Sequence, residues 1–177
     1  MAFEYDVCGY AQVAGSVWRD SGNWLRVQRF TVARAGTLVK ITDYTNADKA
    51  GCGWRGVVYA DSAGLPGALL VVSAEQIIAY PAGPAWLDSA PLSVAVAAGQ
   101  VIHVGSWHAP GVAVYYGGST GASQNDKSGP PPYSASGPPP DPFGATATTA
   151  NQVNSIYATI AVEVAAAATQ VIVVNDA

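Results

Sequence analysis

The sequence predicts an all-β protein, an antiparallel β-sandwich of jelly-roll type with short N- and C-terminal arms. Three observations lead there. Eight or more short apolar runs follow one another, several with the period-two alternation of a pleated strand. The chain's 19 glycines and 12 prolines punctuate those runs at turn-like intervals. No segment combines helical apolar spacing with helix caps, and an all-β chain so punctuated folds as a sandwich or barrel. A length of 177 residues suits one domain burying about 70% of its unfolded surface.

In chain order, residues 1–23 form an arm or a first strand, with Phe3, Tyr5 and Val7 alternating before Gly9. The sandwich domain spans 24–164. Its first strand is Trp24 to Val32. The next is Leu38 to Tyr44, with Leu38, Lys40, Thr42 and Tyr44 on one face and Val39 and Ile41 on the other. A polar loop, 46–53, leads to the stretch around which the fold is organised, Arg55 to Val72. Val57 and Tyr59 alternate with Val58 and Ala60. Asp61 suits the start of a type I turn, and Pro66-Gly67 the centre of a type II turn needing positive φ at Gly67. Asp61 as a calcium ligand is the alternative to turn capping. The unbroken run Leu69 to Val72 predicts a strand buried on both faces.

Trp86-Leu87 marks an edge element. Leu92 to Val96 and Val101 to Val104 predict a hairpin, and Val112 to Tyr116 a further strand. Residues 117–150 are expected as a long Pro/Gly-rich surface loop. Within it Ser128-Gly129-Pro130-Pro131-Pro132 recurs as Ser136-Gly137-Pro138-Pro139-Pro140. Proline triplets favour polyproline II and cannot donate to a ladder. Ile156, Ala158, Ile160 and Val162 then alternate with Tyr157, Thr159, Ala161 and Glu163 in a closing strand. Residues 165–177, with the run Val171 to Val174, are a C-terminal arm suited to pairing with a neighbour's sheet edge.

Half the residues are apolar and only 11% charged, against the usual quarter or so. Such a surface is either solvated by neutral polar groups or covered by neighbours. A net charge of −4 argues against nucleic acid or an anionic membrane as main partner. Arg19, Arg26, Arg29 and Arg34 form either a basic patch or ordinary solvated strand positions. The acidic start lacks a signal's apolar region, and Gly, Pro or polar residues interrupt every apolar run before membrane-spanning length.

No catalytic constellation is legible, and a non-enzymatic protein without cofactor or metal is expected. His103 lies in an apolar strand and His108 in a loop; their spacing fits no zinc motif. There is no nucleophile elbow and no phosphate loop. A carboxylate pair contributed by separate strands stays open as a glycosidase arrangement. A glycan site is the stronger alternative: Trp107, His108, Tyr115, Tyr116 and Tyr133 would cluster if the hairpin end met the Pro-rich loop. Cys8 and Cys52 are the only cysteines and form one possible disulfide.

Several short motifs, in this order, resemble a β-sandwich module of phage minor tail proteins and actinobacterial surface proteins. They are Val27 to Val32, Ala35 to Leu38, Gly56 to Asp61, Gly64 to Gly67, Ala97 to Gly99, Asp141 to Gly144 and Ser155 to Thr159, spanning roughly residues 24–160. Val101 and Ile102 depart from the resemblance, standing where such modules often carry aromatics. The resemblance implies a virion structural protein, made in the host cytoplasm and exposed on the particle as a minor tail or baseplate component. Capsid decoration and attachment to host cell-wall polysaccharide are the alternatives. Partners implied are other virion proteins and copies of the same chain, with a trimer the expected state. No catalytic residues come with the resemblance.

Overall fold

A computed structural model describes residues 2–19, 24–128, 132–144 and 147–164. Among them are thirteen strands and no helix. Every pairing is antiparallel, and two sheets pack face to face as a β-sandwich. The strands are β1 (Ala2–Gly9), β2 (Ser16–Arg19), β3 (Trp24–Thr31), β4 (Gly36–Ala47), β5 (Gly53–Ser62), β6 (Leu65–Val72), β7 (Gln76–Ile77), β8 (Ala85–Asp88), β9 (Val94–Val96), β10 (Val101–His108), β11 (Val112–Ser128), β12 (Ala147–Asn154) and β13 (Ile156–Val164).

The first sheet runs β1-β13-β4, with β8 and β9 beside β4. The second runs β3-β10-β5-β6, with β7 paired to β5. Strand β11 belongs to both. Val112 to Val114 pairs with β4 and Gln124 to Ser128 with β3; its ladder to β12 is interrupted by a bulge between Gly118 and Ser123. Sheet-switching strands use bulges in this way, because the extra residue bends the ladder. Between the sheets lies the main core. Leu38, Ile41, Ile156, Ala158 and Ile160 pack there against Trp54, Val58, Ile102 and Val104. Gly56 faces it too, and a Cβ there would stand 2.9 Å from the Ile41 side chain, so any larger residue would make Ile41 shift.

Particular expectations change. Leu38 does not share a face with Lys40, Thr42 and Tyr44. A register shift opposite Thr159/Ile160 leaves Val39 without a ladder partner and turns both Leu38 and Ile41 into the core. The β5–β6 hairpin turns at Ala63-Gly64, not Pro66-Gly67. Ala63 has φ 55° and Gly64 φ 88°, closed by the Ser62–Leu65 pair. Two positive φ values make the type I′ geometry whose twist suits a hairpin. Pro66 falls inside β6, an edge strand that tolerates a missing donor. That edge position leaves Leu70 exposed, so the run Leu69 to Val72 is not buried on both faces. Strands β9 and β10 are consecutive yet pair with different sheets, so they form a corner and not a hairpin.

Residues 117–128 are strand, not loop. Glycine and small polar residues hide the alternation there, but their backbones pair with β12 and β3. Residues 2–9 are a first strand, laid on β13 of the same chain. The C-terminal arm 165–177, with Val171 to Val174, and part of the first proline triplet lie outside the described residues. Cys8 and Cys52 are buried free thiols, not a disulfide. Cys8 lies near the Thr31 carbonyl and Cys52 near that of Pro110.

The Pro-rich segment 132–144 is a third layer. It straps the outer face of the second sheet, where Leu25, Val27, Val57, Tyr59 and Trp107 surround Phe143. Proline carbonyls accept even though proline nitrogens cannot donate. Tyr59 accordingly donates its hydroxyl to the Pro140 carbonyl at 2.9 Å. The Arg55 guanidinium donates to the carbonyls of Ser73, Ser134 and Gly137. Phe143 N–H donates to the Gly67 carbonyl at 2.9 Å, and Leu69 N–H to the Asp141 carboxylate at 2.9 Å.

Candidate functional site

The five residues singled out as a glycan cluster separate in the fold. Trp107 and Tyr133 do meet, edge to face at 5.3 Å, but under the strap. Trp107 is buried and Tyr133 donates its hydroxyl to Glu75 at 2.6 Å. His108 projects from the opposite face of β10 into the sandwich, because neighbours along a strand alternate. Tyr115 is half-buried against Tyr44, and Tyr116 pairs with Asn154 in the β11–β12 ladder.

Both histidines are sealed. His108 is 0% exposed and ends β10 instead of lying in a loop, with its Nε2 3.2 Å from the equally buried carboxylate of Asp43 on β4. That contact ties one sheet to the other. His103, also 0% exposed, has its Nε2 3.0 Å from Asp61. Asp61 accepts in addition from Arg29 Nε at 2.9 Å and from Gly64 N–H at 3.0 Å. The Arg29 bond, with help from Gly64 and His103, holds the Asp61 carboxyl down at about 2. Burial pushes His103 below the usual imidazole range, against the pull of Asp61. This triad fastens the hairpin turn to β3 and β10. Three of the early arginines have separate places: Arg26 is buried, Arg29 serves Asp61, and Arg34 bridges Asp6 and Glu4, while the Arg19 side chain lies outside the described residues.

The accessible chemistry lies on the outer face of the first sheet. In the register of β1, β13, β4 and β8, the core residues alternate with an outward set. That set includes Phe3, Tyr5 and Val7, which are 55%, 67% and 54% exposed. Beside them runs a row of half-buried rings. Tyr157 lies 5.4 Å from Trp86, Trp86 5.2 Å from Tyr44, and Tyr44 4.9 Å from Tyr115, all tilted or edge-to-face. Tilted pairs suit the ring quadrupoles and lock the row in place. Polar groups edge it. Lys40 donates to Asp88 at 2.7 Å, and Thr42 donates to the same carboxylate at 2.7 Å. Burial raises the Asp88 carboxyl, but these two donors outweigh it and hold it below its usual value.

Of this row the sequence offers only Tyr115 as a glycan candidate. Tyr44, Trp86 and Tyr157 read as strand or edge residues, and nothing local says that β8 brings Trp86 between the two tyrosines. Among the described residues no group of three or more His, Cys, Asp or Glu side chains could hold a metal ion. No family model, curated protein or solved structure matches this chain.

Proposed function

We propose that this protein is a non-enzymatic building block of a bacteriophage particle, a minor tail or baseplate component. In this reading the outer face of its first sheet is turned toward the host surface. One observation carries the proposal: both histidines are locked inside, while aromatic rings are laid open. His103 and His108 are sealed against Asp61 and Asp43, whereas Phe3, Tyr5 and Val7 stand exposed beside four half-buried rings. Rigid aromatic area is what recognition surfaces use, because Tyr and Trp lose little entropy on contact. The scarcity of charge, 11% of residues, fits a chain that works among neighbours. The resemblance to phage tail modules supplies the setting, and with it a homo-oligomer, a trimer by analogy with other phage appendages.

Quantitative mass spectrometry of purified virions tests this. The chain should be present in a fixed copy number, a multiple of three for the trimer. Immunogold labelling should place it on the tail or baseplate; labelling over the head would make it a capsid decoration protein instead. Absence from intact particles overturns the proposal.

A further inference from the structure

Beside the aromatic row lies a hollow at the register shift of β4, where Val39 drops out of the ladder; β13 and β1 supply its other walls. The hollow has a volume of about 480 Å³ and is lined by Tyr5, Val7, Val39, Lys40, Tyr157 and Thr159. Small-molecule sites run from roughly 300 to 1,000 Å³, mostly apolar with a few placed polar groups.

We propose that this hollow is a carbohydrate subsite, and that the row Tyr157–Trp86–Tyr44–Tyr115 continues it into a site for a neutral oligosaccharide. A sugar ring is amphipathic, with C–H faces that want apolar contact and an equator of hydroxyls that wants donors and acceptors. Tyr5, Tyr157 and the two valines offer the first. The Thr159 hydroxyl, the Lys40 ammonium and the Asp88 carboxylate behind it offer the second. Among the described residues that line the site Lys40 is already paired with Asp88, so they offer no free cation to select an anion. That tells against a nucleotide or polyanion, whose phosphates need several Lys or Arg contacts. A purely aliphatic ligand would leave the lysine, carboxylate and threonine unused. The rings, 4.9 to 5.4 Å apart and tilted against one another, add half-buried aromatic area beside the hollow that the C–H faces of further sugar rings would meet. All sit on paired strands, so little ordering is needed on binding.

This inference rests on reading the open face as a recognition face, and names the chemistry it recognises. The test uses the full chain and four neutral hexasaccharides: cellohexaose, chitohexaose, maltohexaose and mannohexaose. Isothermal titration calorimetry should show saturable binding to at least one. Tyr5→Ala and Tyr157→Ala should each weaken it tenfold or more. Trp86→Ala should weaken the hexasaccharide more than the disaccharide of the same linkage, since only the longer ligand reaches the row. Tyr80→Ala, an exposed tyrosine outside the site, should bind as the parent does. Circular dichroism of each variant verifies the fold, and the exposure of Tyr5 makes its variant safe on that count. Failure of the folded parent to bind any of the four overturns the inference, as does binding that the three ring variants leave unchanged. Sugar binding by a chain absent from virions would overturn the particle assignment alone; virion incorporation without sugar binding would overturn only the carbohydrate site.

Discussion

The strap makes a sharp prediction, because a surface loop and a third core layer differ several-fold in what one side chain contributes. Phe143 is 0% exposed and meets Tyr59 at 5.0 Å with an interplanar angle of 88°. Truncating a fully buried Phe to Ala costs about 3–5 kcal/mol, from lost transfer energy and the cavity left behind. The edge-to-face pair with Tyr59 accounts for about 0.5–1.5 kcal/mol of that. Substitution in an ordinary surface loop moves stability by less than about 0.5 kcal/mol. Phe143→Ala should therefore remove a large share of a domain stability of about 5–15 kcal/mol. Urea unfolding followed by circular dichroism and by tryptophan fluorescence provides the assay. The midpoint should fall, and Trp107, which the strap covers, should shift to the red before the strands melt if the segment lifts first. A loss below about 1 kcal/mol with parental emission would refute the three-layer description, since no buried ring could then be missing.

Other outcomes follow from single sites. Gly105→Ala should abolish soluble expression or lower the melting point by on the order of 10 °C, because its Cβ would drive into the Arg26 carbonyl on the paired strand. Ala63→Gly should stabilise by about 1 kcal/mol in urea unfolding, since an L-residue at φ 55° carries left-handed strain that glycine lacks. Stability should fall on acidification in two stages. His103 is held below the ordinary imidazole value of 6.5 and Asp61 at about 2 against 3.8, so the unfolded chain binds both protons first. Their contribution is complete above pH 6.5, declines through the imidazole window, and declines again from about pH 4 toward 2. His103→Gln should remove the first decline from a series of melting curves. Thiol titration without reductant should find two free cysteines after denaturation and almost none in the native protein, where burial pushes Cys8 up to about 11.

Strand identity was legible wherever packing wrote alternation into the chain. The set Ile156, Ala158, Ile160 and Val162 reads directly off the residues as one face of a strand, and the fold turns that face into the core. Legibility failed where the backbone, not the side chains, decides. Val39 is an ordinary strand residue whose place outside the ladder comes from a register two strands share, so its neighbours' faces could not be assigned locally. Pro66-Gly67 is a good turn dipeptide, and Ala63-Gly64 a poor one because Ala resists positive φ. The hairpin nonetheless turns at the latter, since Asp61 is fixed by Arg29, His103 and the Gly64 N–H. Tertiary bonds settle that competition, and they join residues 32 and 42 positions apart.

The site was less legible than the fold, for a related reason. Trp107 and His108 attracted attention as adjacent chemistry-bearing residues, but adjacency on a strand guarantees opposite faces. Their burial in two different layers follows from that geometry once both faces of the second sheet are covered. Among the described residues nothing straps the first sheet, and its outward side chains Phe3, Tyr5 and Val7 stay exposed. Trp86 belongs there only because four residues of β8 pair with Thr42 to Thr45. The prolines that make the strap are the sequence sign of which face is closed: Pro140 accepts from Tyr59, and Phe143 three residues on fills the layer beneath. Among the described residues one sheet is strapped and the other is not, so the rings of the second sheet are closed in a layer while those of the first stay half-buried or exposed at the surface.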